Sequence, residues 1–255
     1  PTNLLENETA IRRFLKEART TAKFNHPHIV TIYGIGQVEN MHYVALEYLE
    51  GSDLRQLMVA RRLSLGECIT IALPIVEAIS EAHRHGVLHR DLKPSNILIP
   101  DEGRIRVVDF GLAIELEPDE DGSLTGNEIS LDGTPRYMAP EQWMRKKTTV
   151  ATDVWAFGVM LHHMLCGRLP YPRVTARDVA RSICSPEPVP NSLSAKDTPQ
   201  ALVDLVEHCL RKDPAERIST QQMLKVLRSI TQPKSGITAT FDAFGALSMT
   251  PGNGA

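Results

Sequence analysis

Apolar positions change period along this chain, and the changes mark its elements. Ile11, Phe14, Leu15, Ala18 and Ala22 fall at helical spacing, which predicts an amphipathic helix ending near Lys23. The run Ile29 to Tyr33 is rich in β-branched residues and predicts a strand, and His42 to Leu49 a second, with a turn over Gln37–Asn40. Such a hairpin is marginal alone and needs a helix or more strands against it. Gly51-Ser52 reads as a break, after which the pattern becomes mainly helical. Leu65 to His85 carries Ile69, Leu73, Val76 and Ile79 on one face, although Pro74 sits inside the pattern and should kink it. Ile97–Ile99 and Arg104–Val108 predict short strands paired across Asp101-Glu102-Gly103. Glu115 to Gly133 is polar and acidic and predicts a mobile loop. Further helices are expected over 151–166, 202–210 and 219–230, the last opened by a capping box from Ser219 to Gln222. Residues 232–255, rich in Gly, Ala, Thr and Pro, read as a flexible linker.

Composition narrows the class without naming a function. The chain has 255 residues, 42% hydrophobic and 23% charged, which suits a globular protein of one large or two small domains. A net charge of −3 provides no global basic field for nucleic acid, and Arg145-Lys146-Lys147 reads as solvated surface. Four scattered cysteines form no C-x-x-C pair and read as reduced thiols of a cytoplasmic protein. His83, His85 and His89 lack a second ligand cluster and read as surface and core histidines rather than zinc ligands. The most apolar stretch, Val150 to Gly167, is interrupted by Asp153, His162 and His163, so no membrane segment is expected.

Chemistry concentrates in Val87–Ile99, V-L-H-R-D-L-K-P-S-N-I-L-I. It sets an acid, Asp91, a cation, Lys93, and a carboxamide, Asn96, within six residues, between apolar runs that read as buried. Pro94 ends any helix and confines Lys93 to extended conformations, so the polar groups lie on a loop held by its flanks. The order H-R-D-L-K-P-x-N resembles the catalytic loop of eukaryotic-type protein kinases. An Asp-Phe-Gly triplet follows, with Asp109 lying 18 positions after Asp91, as in that family. The resemblance extends through Gly133-Thr134-Pro135-Arg136-Tyr137-Met138-Ala139-Pro140-Glu141, similar to the segment that closes a kinase activation loop. It continues in Asp153-Val154-Trp155-Ala156-Phe157-Gly158, similar to the start of the central helix of the large lobe.

The resemblance implies an α+β, two-lobed, kinase-like fold. Residues 1–49 would form a partial small lobe, 50–231 a helical large lobe, and 232–255 a tail. It implies a protein serine/threonine kinase, bacterial in type, that uses ATP and Mg²⁺ on a protein substrate. Asp91 would orient the hydroxyl and take its proton, and Lys93 would neutralise charge on the γ-phosphate. Asn96 and Asp109 would bind magnesium, with Gly111 allowing a sharp turn and Phe110 anchoring the acid from its apolar side. Glu17 would belong to the helix that pairs with a strand lysine. Leu46–Tyr48 resembles the hinge, so Glu47 and Leu49 would face adenine, Asp53 the ribose and Leu98 the base; the same apolar and turn residues would also suit an ordinary core. Asp153 would accept backbone hydrogen bonds from the catalytic loop, and Arg217 would pair with Glu141. His89 would stack with Phe110. Arg90 would report on a phosphorylated loop in which Thr125, Ser130 and Ser123 are candidate acceptors. Lys93-Pro94 and Thr134 are the serine/threonine version of the motif. A homodimer would allow one loop to phosphorylate another.

The pattern departs from the family at its start. The Gly-rich loop and the strand lysine would lie upstream of the helix bearing Glu17, and neither is present. Truncation of a complete kinase is the favoured explanation, with a weakly active or inactive fragment as its consequence. A pseudokinase-like binding scaffold is the alternative. Cytoplasmic location is expected, alone or as the cytoplasmic part of a membrane-anchored protein. Thr21, where the family has an aliphatic residue, is expected to loosen the coupling between that helix and Asp109.

Overall fold

The computed structural model describes residues 22, 25–39, 41–110, 134–172, 175–190, 193, 198–231, 237–241 and 247–251. The helix expected over 11–23, including Glu17 and Thr21, lies outside the described residues, as does the acidic stretch 111–133 with Gly111, Ser123, Thr125 and Ser130.

Two strands, β1 (Ile32–Val38) and β2 (Met41–Leu46), form an antiparallel hairpin whose register runs from Ile32 opposite Leu46 to Val38 opposite Met41. The hairpin starts later than the β-branched run suggests. Ile29 and Val30 pair instead with the segment around Val107: Val30 donates its amide to Val107 O (3.0 Å), and the Val107 amide donates to His28 O (2.9 Å). The second strand stops at Leu46 rather than Leu49.

Gly51-Ser52 is not a break but the start of β3 (Gly51–Asp53), which pairs with β4 (Ile97–Pro100), itself paired with β5 (Arg106–Val107). Gly51 has φ +143°, and a Cβ there would collide with Ile99 O, so the strand contact requires glycine. Asp53 ends β3 and caps α1 (Leu54–Ala60), a helix too short for the apolar period to reveal.

The long helix α2 (Leu65–Arg84) begins at Ser64, whose Oγ accepts the Glu67 amide while the Glu67 carboxylate accepts the Ser64 amide. Pro74 lies inside without ending it; a proline forfeits one ladder hydrogen bond, and the helix carries that loss because Ile71, Ala72, Ile75, Val76 and Ile79 are buried around it. After the short helix α3 (Pro140–Trp143), α4 (Val150–Cys166) is mainly apolar, is buried on nearly every side and runs through the core, with Trp155, Phe157, Met160 and Leu161 fully buried. Gly158 lets it approach α6 (Gln200–Cys209) closely, since a Cβ there would stand 2.6 Å from Cys209 Cβ. Between them, α5 (Ala176–Cys184) was not expected from the sequence, because it buries only Val179 and Ile183 and is otherwise polar. Its legible sign is Thr175, whose hydroxyl accepts the Asp178 amide. α7 (Thr220–Thr231) packs on α2, behind the Ser219–Gln222 box. The tail, read as linker, carries an antiparallel pair, β6 (Ile237–Phe241) with β7 (Leu247–Pro251). The first of these strands is rich in residues of good strand propensity: Ile237, Thr238, Thr240 and Phe241.

All four cysteines are free thiols: Cys68 and Cys209 are buried, Cys166 and Cys184 half-buried. No helix among the described residues is long and apolar enough to cross a membrane.

Two histidines of α4 carry an acid sensitivity. Burial drives both His162 and His163 down to about 4, with the hydrogen bond between His162 Nδ1 and Arg168 O opposing the shift in part. The folded state therefore binds fewer protons than the unfolded chain between pH ~6.5 and ~4, and stability falls as pH is lowered through that window. Melting temperature measured across it should drop, and His162→Gln should flatten the slope, because each histidine contributes roughly 3 kcal/mol to the dependence. An unchanged slope in that variant would remove His162 from the account.

Candidate active site

The loop from His89 to Asn96 is shaped by a carboxylate beneath it. Asp153 lies in the first turn of α4, fully buried, and its two oxygens accept the amides of His89 (2.9 Å) and Arg90 (2.8 Å). His83, near the end of α2, holds the same carboxylate through Nε2 at 2.7 Å. Burial alone would raise the Asp153 carboxyl, but hydrogen bonding and charge from His83, then His89, outweigh it and hold it below the usual aspartate value. This clamp allows Arg90 to take φ +64°, a left-handed conformation that costs a non-glycine residue on the order of 1 kcal/mol or more.

Past that turn, the chemistry-bearing side chains meet. Lys93 Nζ lies 2.6 Å from Asp91 Oδ2, both groups partly exposed. Pro94–Asn96 form a single 3₁₀ turn whose N–H at Asn96 bonds Lys93 O (3.0 Å). The Asn96 side chain is buried and donates from Nδ2 to Asp91 O (2.9 Å) and toward Asp91 Oδ2 (3.4 Å). With its nitrogen committed, Asn96 has its amide oxygen to offer a ligand.

Asp109 reaches this group through the sheet. The pairing of Ile97 with Val107, extended by the Val108 amide bonding Asn96 O (3.0 Å), carries Asp109 alongside the loop. Asp109 is a second non-glycine residue at positive φ, +62°. Phe110 is buried with its ring centroid 4.8 Å from that of His89, so the Asp-Phe pair is pinned to the His89–Asn96 loop from its apolar side. His89 is fully buried, and burial holds its imidazole below the ordinary value.

The closing segment is locked from beneath. Arg217 clasps Glu141 with two bonds of 2.7 and 2.8 Å, and Thr152 Oγ1 donates a third to Glu141 at 2.9 Å. Arg217 also donates to the carbonyls of Ala151, Arg211 and Lys212, so all five donors of the fork are used. Burial opposes ionisation of Glu141, but the bonds and charge of Arg217 prevail and its carboxyl lies below the usual range. Next along, Gln142 Nε2 donates to Arg90 O (2.8 Å), tying α3 to the residue before Asp91.

On the nucleotide side, the residues expected at the hinge also serve the scaffold. Glu47 donates its amide to Thr31 O (2.9 Å), and its carboxylate accepts Thr31 N–H (2.9 Å) and Arg106 Nε (2.8 Å), so its amide and side chain serve the scaffold. Asp53 Oδ1 accepts the Gln56 amide (2.7 Å) as the cap of α1, so the acid read as a ribose ligand is at least partly structural. Leu49 and Leu98 are half-buried, and Leu98 is opposite Asp53 in the sheet. The side chain of Thr134 is outside the described residues. Reading the sequence missed His83, Gln142 and Thr152. A histidine on the helix before the loop, a glutamine after the acid and a threonine before Asp153 carry no local signal, because their partners lie 11 to 70 positions away.

Residues 3–227 match the protein kinase domain family, and the chain belongs to that family. Its relatives include serine/threonine-protein kinase PrkC of Bacillus subtilis, 33% identical over 213 residues, covering 83% of this chain and 32% of PrkC. Another is serine/threonine-protein kinase pkn3 of Myxococcus xanthus, 32% identical over 230 residues, covering 87% of this chain and 42% of pkn3. The chain thus spans well under half the length of these relatives. The crystal structure of a point mutant of the Mycobacterium tuberculosis PknI kinase domain aligns with a TM-score of 0.67 at 24% identity, covering 91% of this chain and 83% of that one, and the fold is that of a protein kinase.

The family uses ATP with a divalent cation, and the donor set fits such an ion. Asn96 and Asp109 supply hard oxygens from one end of the β4–β5 pair. Two protein ligands suit a cation whose remaining positions go to water and phosphate.

Breaking the buried pair should be costly. Arg217→Ala is expected to lower unfolding free energy by roughly 3–5 kcal/mol, because it strands the Glu141 carboxylate in the core. Glu141→Leu combined with Arg217→Met should recover much of that loss in a denaturant titration; equal losses in the single and double variants would contradict an electrostatic clasp.

Proposed function

We propose that this chain carries the catalytic apparatus of a protein serine/threonine kinase, moving the γ-phosphoryl group of ATP to a serine or threonine hydroxyl with magnesium as the cation. The observation that carries this reading is the arrangement of Asp91, Lys93 and Asn96 on one clamped loop, to which the β4–β5 pair brings Asp109. Four polar groups gathered beside two left-handed residues, Arg90 and Asp109, are a poor solution for stability alone, and that argues for catalysis over a scaffold that only binds. The family membership and the names of the relatives support the same substrate class.

On this reading Asp91 accepts a hydrogen bond from the incoming hydroxyl and takes its proton as the Oγ–P bond forms and the β,γ-bridging P–O bond breaks. Lys93, 2.6 Å from that carboxylate, carries the positive charge that a transferring phosphoryl group requires. Bound magnesium would polarise the phosphate oxygens, held by the Asn96 amide oxygen and the Asp109 carboxylate. Asn96 also positions the general base, because its Nδ2 bond to Asp91 O fixes the backbone that aims it.

In the full-length protein, Asp91→Asn should lower kcat by roughly a hundredfold or more with KM for ATP little changed, since a general base contributes ~10²–10⁴. Asp109→Asn should abolish magnesium-dependent nucleotide binding, followed by calorimetry. Phosphate transfer by Asp91→Asn at the wild-type rate would defeat the assignment.

A further inference from the structure

Charge is distributed very unevenly along the sequence that follows Asp109. The 23 residues 111–133 hold seven acidic side chains and no lysine or arginine, whereas residues 134–190 hold eight arginines and lysines against four acids. Two of those four acids, Glu141 and Asp153, are buried and engaged by Arg217 and His83. Between Thr134 and Val150, Glu141 is the sole carboxylate, so the accessible charge of this strip is entirely positive: half-buried Arg136 and exposed Arg145, Lys146 and Lys147.

The strip belongs to the catalytic scaffold. Gln142 bonds Arg90 O, and the Lys146 amide bonds Glu141 O (2.8 Å), so the basic run hangs from the same clasp that fixes the loop of Asp91. Beneath it, the Tyr137 hydroxyl meets His163 Nδ1 at 3.0 Å rather than a carboxylate, and Arg136 and Arg62 add positive potential there. Positive charge also reaches α5, where Lys146 and Lys212 both act on Cys184. A cationic strip of this kind attracts an acidic peptide and rejects a basic one.

We propose, resting on the kinase reading, that the serine or threonine acceptor is recognised within an acidic sequence, its carboxylates drawn to Arg136 and to the run Arg145–Lys147. The chain contains a segment of that chemistry, Glu115–Asp132, with Ser123, Thr125 and Ser130 among its acids. The run read from sequence as plain solvated surface is thereby a specificity element.

The test measures the full-length protein on three synthetic peptides: the 115–132 sequence, the same with its acids changed to glutamine, and the same with them changed to lysine. The acidic peptide should exceed the glutamine peptide in kcat/KM by roughly tenfold, mainly through KM, and the gap should narrow as salt is raised because exposed charges are screened. The variant R145E/K146E/K147E should bring the acidic and glutamine peptides within about twofold of one another, with K147E alone giving an intermediate ratio should the triple variant fold poorly. Equal use of the acidic and glutamine peptides, or preference for the lysine peptide, would overturn the proposal and leave the kinase reading standing. A uniform rise in activity on all three peptides in the triple variant would also overturn it, since the strip would then hold an acidic segment of its own chain. Absence of phosphate incorporation into any peptide or protein would defeat the kinase reading itself.

Discussion

A buried carboxylate organises the active site from below. Asp153 accepts the amides of His89 and Arg90 and is itself held by His83, so three elements converge on one side chain: α2, the catalytic loop and α4. Each contact makes the others tenable. An ionised carboxylate in the core is unfavourable unless its lone pairs are filled, and a left-handed arginine is unfavourable unless its backbone is anchored. Together they make a turn that sends Asp91, Lys93 and Asn96 to one side. Because α4 is buried on nearly every side, the carboxylate sits in the packed core of the molecule.

The second buried charge, Glu141 with Arg217, performs the same service for the closing segment. It fixes α3, and Gln142 passes that constraint to Arg90 O. Both constraints therefore meet at Arg90, whose amide is held by Asp153 and whose carbonyl is held by Gln142. Arg217 and Lys212 also stand over the Trp155 ring, at 5.1 and 5.8 Å, which joins the clasp to the packed core of α4.

Much of this was legible in the sequence, for physical reasons. The helix pattern at Leu65–Arg84 and the capping box at Ser219 are local signals, and both correspond to elements in the structure. Asp153 and the Glu141–Arg217 pair were legible only through resemblance, since residues 76 positions apart leave no local trace of contact. What escaped reading depended on tertiary context. β3 was hidden behind a glycine that signals a break in isolation and a close strand contact in the fold. Ile29 and Val30 have strand propensity, but their hydrogen bonds go to Val107 and not to the hairpin. Asp53 reads as a ligand by position and acts as a helix cap by geometry. His83 had no sign at all, because a histidine near a helix end is ordinary until its partner arrives from α4.

The claim that Asp153 builds the catalytic turn is tested most directly by amide hydrogen exchange at His89 and Arg90 in Asp153→Asn against the parent protein. Loss of one acceptor and of the charge should speed exchange at these two amides by roughly tenfold or more, while amides in the middle of α2 and α6 keep their protection. Unaltered exchange at His89 and Arg90 in that variant would contradict the account, for the turn would then be held by something other than this carboxylate.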